Sequence, residues 1–142
     1  MRLVLDTAIM VAAIRSDGGA SRQLLVAGLK RRFTVLASVP LIFEYEAALG
    51  RTEHLRASGL SLHEVGVLLD AVAAIAEPVR LAYLWRPALR DPDDDMVLET
   101  AVNGSANAIV TFNVRDFTGP AQRFGIEVMR PGEMWERLRK QR

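Results

Sequence analysis

Residues 3–14, with the sequence LVLDTAIMVAAI, decide the fold class that we predict. Leu3-Val4-Leu5 is a short, uniformly apolar run, typical of a strand that is buried on both faces of a parallel sheet. The run ends at Asp6, and apolar residues then continue until the turn-forming stretch Ser16-Asp17-Gly18-Gly19. We therefore predict a strand, an acidic residue at its carboxyl end, and a helix.

The alternation of strand and helix continues along the chain. The further elements that we predict are helices at 20–29, 41–49, 61–77, 91–103 and 134–140, strands at 33–37, 79–81, 108–111 and 126–128, and a polar loop or short helix at 112–120. Ser61 and Glu64 have the spacing of a capping box. This order predicts a three-layer α/β/α, Rossmann-like fold around a parallel sheet of about five strands. Ligands of such sheets bind beyond the carboxyl ends of the strands.

The composition fits one domain over residues 1–142, because half of the residues are hydrophobic and no linker or repeat is visible. The net charge of +1 neither requires nor excludes a polyanionic partner. The chain has no cysteine, which excludes disulfides, thiolate zinc sites and cysteine nucleophiles. An acid at position 6 argues against a signal peptide, and no apolar run reaches the ~20 residues of a membrane helix. We expect a soluble cytoplasmic protein without a membrane partner.

Two acidic residues stand out by their placement. Asp6 directly follows a strand, where open α/β sheets build sites, although a helix cap is an equally good explanation. Asp94 opens a predicted helix whose apolar face consists of Val97, Leu98, Ala101 and Val102. On a helical wheel Asp94 points along this buried side, whereas Asp95 is turned well away. A buried acid is costly without a partner, so Asp94 is the acid that needs a function.

Two more acids are candidates on weaker grounds. Asp116 lies five residues beyond the strand that ends at Thr111, and a turn aspartate is its ordinary explanation. Glu44 and Glu46 both fall near the border of a helix's apolar stripe, and periodicity does not choose between them. If the acids converge, their repulsion requires a cation, and ligand sets made only of oxygen select Mg²⁺ or Mn²⁺. Such a site suits phosphodiester hydrolysis, because the metal activates water and balances charge on the phosphate oxygens.

At this point the chain resembles the PIN-domain family, including the VapC-like toxins of bacterial toxin–antitoxin pairs. The residues that carry the resemblance are Val4-Leu5-Asp6-Thr7, the stretch 38–49 with Glu44, Arg90-Asp91-Pro92-Asp93-Asp94-Asp95, and Val110-Thr111-Phe112-Asn113-Val114-Arg115-Asp116-Phe117. The stretch that begins at Arg90 is similar to the branch described as toxin components of toxin–antitoxin systems.

The resemblance implies a PIN-like fold and a ribonuclease that depends on Mg²⁺ or Mn²⁺. The catalytic and metal-binding acids that it implies are Asp6, Glu44, Asp94 and Asp116, so it selects Glu44 over Glu46. The supporting residues that it implies are Thr7, Thr111 and Asn113, with Asp91 as an outer ligand. An RNA substrate, a cognate antitoxin and a homodimer are also implied.

Other functions compete with this one. Ala8 stands where the family usually has asparagine, and this motivates the alternative of a catalytically weak PIN-like module that binds RNA or a protein partner. A haloacid-dehalogenase-like phosphatase also begins with a strand and an aspartate, but position 8 lacks its second aspartate. No GxGxxG or GxxxxGK[ST] pattern occurs, which argues against a nucleotide-binding protein. His54 and His63 fall in or near helical surface segments and give little support for a histidine-based site.

Overall fold

The computed structural model describes residues 1–83 and 92–141, without the side chains of residues 92 and 93. Within these ranges the chain forms five strands and eight helices. In chain order they are β1 (Arg2–Leu5), α1 (Thr7–Arg15), α2 (Ala20–Leu29), β2 (Thr34–Ala37), α3 (Val39–Leu49), α4 (Thr52–Ser58), α5 (Leu62–Ile75), β3 (Glu77–Pro78), α6 (Pro92–Asn103), β4 (Ala108–Val110), α7 (Val114–Gln122), β5 (Glu127–Met129) and α8 (Pro131–Lys140).

The strands form one parallel sheet in the order β3-β2-β1-β4-β5, which confirms the predicted α/β class. From β1 the chain adds β2 and β3 on one side and then returns to add β4 and β5 on the other. The order therefore reverses between β1 and β4, where Leu5 pairs with Val110. Open α/β sheets bind ligands at such a reversal, beyond the carboxyl ends of the two strands.

Helices cover both faces of the sheet. Right-handed connections between parallel strands place α1 to α5 on one face and α6 and α7 on the other. The contacts agree, since α1 packs on α2, α2 packs on α5 and α8, and α6 packs on α7, β1 and β4. The core lies between these layers, and its central strand residues Leu3, Val4, Leu5 and Ile109 are fully buried. The predicted three-layer arrangement is confirmed.

Most predicted elements form close to the predicted positions. The capping box of α5 is confirmed, because Ser61 and Glu64 exchange two hydrogen bonds of 3.1 Å. The short strand predicted at 79–81 lies instead at Glu77–Pro78, where it pairs with the end of β2. α4 was missed, because none of its residues is buried and it offers no apolar stripe. The segment 112–120, predicted as a loop or a short helix, contains the start of α7.

Over the described part of the chain, no single helix is both long and apolar enough to cross a membrane. α4 and α5 meet the length and composition criteria only as a pair, and they are bent by 88° at their junction.

Candidate active site at the carboxyl edge of the sheet

Asp6 and Thr111 face each other where the strand order reverses. Asp6 directly follows β1, and its backbone N–H donates to the carbonyl of Val110 at 2.9 Å, which continues the ladder with β4. Thr111 follows β4 and is fully buried. Its hydroxyl donates to Oδ2 of Asp6 at 2.7 Å. Because Asp6 is only 8% exposed, this bond fixes the orientation of a largely desolvated carboxylate.

Asn113 extends this contact to two more of the predicted acids. Its backbone N–H donates to the Thr111 hydroxyl at 2.9 Å. Its side-chain Nδ2 donates to Oδ2 of Asp116 at 2.8 Å and lies 3.5 Å from Oδ2 of Asp94. One amide nitrogen is therefore close to a carboxylate oxygen of both acids. A chain of hydrogen bonds thus joins Asp6 to Asp94 and Asp116, and we call these five residues the Thr111–Asn113 network.

Both outer acids of the network lie in the first turn of a helix. Asp94 is near the start of α6, and Asp116 is near the start of α7. A carboxylate is stabilised there by the helix dipole and by free backbone N–H groups. The fold therefore brings acids from three elements to one edge of the sheet without placing any of them at a helix C-terminus.

Tyr45 attaches α3 to the same edge. Its fully buried hydroxyl donates a hydrogen bond to the carbonyl of Leu5, the residue before Asp6. Burial, and secondarily the negative charge of Asp6, raise the pKa of the Tyr45 phenol. The neighbouring Glu44 is half-buried, whereas Glu46 is exposed. Glu44 is therefore the more buried of the two acids between which periodicity did not choose.

A second contact ties α3 to α6. Ser38 caps α3 by accepting from the Leu41 N–H at 3.4 Å, and its hydroxyl lies 2.7 Å from Oγ1 of the buried Thr100. Ser38 and Thr100 thereby fix the relative position of the helices that carry Glu44 and Asp94. The periodicity of the sequence did not predict this contact, because single serine and threonine residues are common on helix surfaces.

Two other predicted positions can be placed only in part. Thr7 begins α1 and is half-buried. Asp91, predicted as an outer ligand, lies outside the described residues together with Arg90.

His63 is exposed, while His54 is half-buried with its Nδ1 3.3 Å from a guanidinium nitrogen of Arg15.

The prediction that Asp95 is turned away from the core was wrong. Asp95 is 2% exposed, while Asp94 is half-buried. Glu99, one turn after Asp95, is also fully buried. The wheel failed because α6 packs against α3 and α7 as well as against the sheet, so its residues 97–101 are buried on every side. The spacing of Asp95 and Glu99 by four residues was the only sequence signal for an acidic interior face.

The donor chemistry of the site fits a hard divalent cation. Asp6, Asp94 and Asp116 offer only oxygen atoms, which Mg²⁺ and Mn²⁺ prefer. Across the residues that the structure describes, no three acidic or histidine side chains converge closely enough to form a metal-binding group. In this arrangement the Asn113 amide lies between two of the carboxylates. The carboxylates are therefore of the chemical kind that binds such a cation. In this structure two of them, those of Asp94 and Asp116, lie beside the Asn113 amide nitrogen instead.

Comparisons with known proteins bear on the family and the fold. A family model described as PIN domain matches residues 2–115, a range that contains Asp6, Glu44, Asp94 and Asn113 and ends one residue before Asp116. The chain is also similar to a chain in the crystal structure of VapBC2 from Rickettsia felis bound to a DNA fragment from their promoter. That similarity has a TM-score of 0.60 at 18% identity and covers 90% of this chain and 97% of that chain, so it reflects a shared fold. None of the curated proteins matches the sequence significantly.

Proposed function

The chain belongs to the PIN-domain family, and we propose that it is a metal-dependent ribonuclease, the toxin component of a bacterial toxin–antitoxin pair. PIN domains are generally nucleases that use divalent metal ions. The observation that carries the proposal is the Thr111–Asn113 network, which joins three carboxylates where the strand order reverses. Asp6 and Thr111 lie just beyond the carboxyl ends of β1 and β4, where this class of sheet binds its ligands, and this supports the proposal.

Each residue of the network has a role in the proposed reaction. Asp6, Asp94 and Asp116 would hold Mg²⁺ or Mn²⁺, with Glu44 as a fourth acid and Asp91 as an outer ligand. The bound cation supplies an activated water and neutralises charge on the phosphate oxygens.

Thr111 keeps the Asp6 carboxylate in one orientation, and Asn113 holds Asp94 and Asp116 at the same edge. Thr7, next to Asp6, is a further supporting polar group.

The test is RNA cleavage by the pure protein in Mn²⁺, in Mg²⁺ and in EDTA, with single-stranded and structured RNAs as substrates. We expect metal-dependent cleavage by the wild type and a loss of more than about 100-fold in Asp94→Asn, since even residues that only orient a metal ligand contribute about 10- to 100-fold. Asp70→Asn is the matched control, because Asp70 is an exposed acid on α5, outside the network. Equal cleavage by Asp94→Asn and the wild type would show that the site is wrongly assigned.

The alternative proposal is a catalytically weak PIN-like module that binds RNA or a protein partner. Ala8 motivates it, since alanine offers no side-chain hydrogen bond to Asp6. Against it, the Asp6 carboxylate already receives a hydrogen bond from Thr111. RNA binding without cleavage in any metal would favour the module.

The proposed antitoxin requires a surface for a protein partner, and an apolar groove between α2 and α5 offers one. Its lining includes Leu25, Val26, Leu29, Val67 and Leu68. Such grooves accept the apolar face of an amphipathic helix. The similarity to a VapBC2 chain also supports an antitoxin partner. We expect Val67→Asp to escape inhibition by an antitoxin that silences the wild type, and unchanged inhibition would exclude this groove.

The homodimer is a separate proposal that concerns α3. Val39 and Phe43 lie one turn apart on this helix, and both are exposed. We expect a concentration-dependent dimer in sedimentation equilibrium, which Val39→Glu together with Phe43→Glu converts to a monomer. A wild type that remains monomeric at every concentration would exclude it. Under the proposed function, residues 1–142 act as one domain in the cytoplasm.

A further inference from the structure

Phe112 is an exposed aromatic residue between two members of the Thr111–Asn113 network. Its side chain is 43% exposed. The residue before it, Thr111, is buried and donates to Asp6, and the residue after it, Asn113, donates to Asp116. Both flanks of Phe112 are thus fixed by the candidate active site, so the ring is presented to solvent from a constrained loop beside the carboxylates.

Arg130 supports the same loop from the next strand. The residue before it accepts a hydrogen bond from the Thr111 N–H at 3.0 Å, which places Arg130 just beyond the carboxyl end of β5. A guanidinium nitrogen of Arg130 donates to the carbonyl of Phe112 at 3.1 Å. Arg130 is exposed, as is Arg115 in the first turn of α7. A cationic side chain therefore contacts the backbone of an exposed aromatic residue that lies between two members of the network.

We propose that Phe112 and Arg130 form a platform that binds single-stranded RNA and thereby selects unpaired RNA for the site. A base stacks on the Phe112 ring, while the Arg130 guanidinium contacts a neighbouring phosphate. Bases in a duplex are covered on both faces by their neighbours, so only an unstacked base can use the ring. The positive charge of Arg130 offsets part of the repulsion between the three carboxylates and the RNA backbone. This inference rests on the proposed function for its substrate class.

The experiment measures binding in EDTA, so that neither metal nor cleavage is involved. The probes are a 12-nucleotide single-stranded RNA that contains 2-aminopurine and the duplex of the same sequence. Anisotropy of a terminal dye reports affinity, and 2-aminopurine fluorescence reports stacking. The variants are Phe112→Leu and Phe112→Trp, with Phe124→Leu as the matched control. Phe124 is 40% exposed and lies on the turn after α7, outside the platform.

We expect the Phe112→Leu variant to bind the single strand about tenfold more weakly, while its affinity for the duplex is unchanged. The change in 2-aminopurine fluorescence that stacking causes on binding should be lost in this variant. Phe112→Trp should retain both, and Phe124→Leu should bind as the wild type does. Arg130→Gln should lower the slope of log affinity against log salt for the single strand by about 0.7, the value for one phosphate contact.

The proposal is overturned if wild-type protein binds no single-stranded RNA, if Phe112→Leu binds it as tightly as the wild type, or if that variant loses single strand and duplex equally. Cleavage is scored separately in Mn²⁺. Stacking without cleavage by the wild type would remove the ribonuclease and leave the platform. Cleavage with the same preference for single strands in Phe112→Leu would remove the platform and leave the ribonuclease.

Discussion

Replacing Thr111 by valine tests the centre of the candidate site with almost no change in shape. The hydroxyl donates to the Asp6 carboxylate at 2.7 Å and accepts from the Asn113 N–H at 2.9 Å. Valine fills the same volume but offers neither bond. We expect Thr111→Val to lower both the free energy of unfolding and the rate of RNA cleavage.

The magnitude follows from the two bonds that are lost. A hydrogen bond to a charged group contributes about 1.5–3 kcal/mol, and a neutral one about 0.5–1.5 kcal/mol. Solvent replaces them poorly, since Thr111 is fully buried and Asp6 is 8% exposed. We therefore expect a loss of about 3 kcal/mol, or roughly 10 °C in Tm for a chain of this size.

Urea unfolding followed by circular dichroism in EDTA measures this loss without a contribution from bound metal. Thr111→Ser is the matched control, because it keeps the hydroxyl and loses only one methyl group, for about 1 kcal/mol. Thr111→Val should therefore be about 2 kcal/mol less stable than Thr111→Ser, because the loss of the hydroxyl costs more than the loss of the methyl group. If Thr111→Val proves as stable as the wild type, the hydrogen bond to Asp6 does not stabilise the fold and the reasoning fails.

Three further predictions concern other members of the site. The pKa of Tyr45 is raised in the folded protein, chiefly by burial. The protonated phenol therefore stabilises the fold in full below pH ~10, and above that pH the free energy of unfolding falls by up to about 1.4 kcal/mol per pH unit. Urea titrations from pH 8.5 to 11 should show this slope in the wild type and in Tyr83→Phe but not in Tyr45→Phe. Saturating Mg²⁺ should raise the Tm of the wild type more than that of Asp94→Asn, and equal shifts would contradict metal binding there. Glu44→Gln should reduce RNA cleavage while the exposed Glu46→Gln does not, and the reverse order would assign the α3 acid to Glu46.

The sequence predicted the sheet well because its strands carry a strong and local signal. Leu3-Val4-Leu5 and 108–110 are apolar throughout, and both become fully buried strands. The order of the strands was harder to predict, because no local sequence pattern indicates that β4 pairs with β1 on the side opposite to β2. α4 was missed for the opposite reason, because a short helix that buries none of its residues has no periodic stripe to detect.

The site was predictable where it depends on strand ends. Asp6 and Thr111 both follow predicted strands, which places both at the carboxyl edge of a parallel sheet, and the pairing of β1 with β4 then brings them into contact. The contact of Asn113 with Asp94 and Asp116 depends on how α6 and α7 pack together, which is tertiary information. The wheel applied to α6 failed for the same reason. It assumes one solvent face, and α6 has helices on two sides, so Asp95 and Glu99 are interior acids.

Under the proposed function, the Asn113 side chain would place stability and metal binding in competition. Its Nδ2 donates to Asp116 Oδ2, the kind of oxygen that a cation would also use, and it lies near Asp94 Oδ2 as well. A cation that took both oxygens would have to displace this amide, at a cost of about 1.5–3 kcal/mol for the bond to a charged group. That cost lowers the apparent affinity for metal. In return, the amide separates two like charges when no cation is bound and keeps both acids at the sheet edge. Under the proposed function, the same hydrogen bond that preserves the geometry of the site would therefore weaken its hold on the ion.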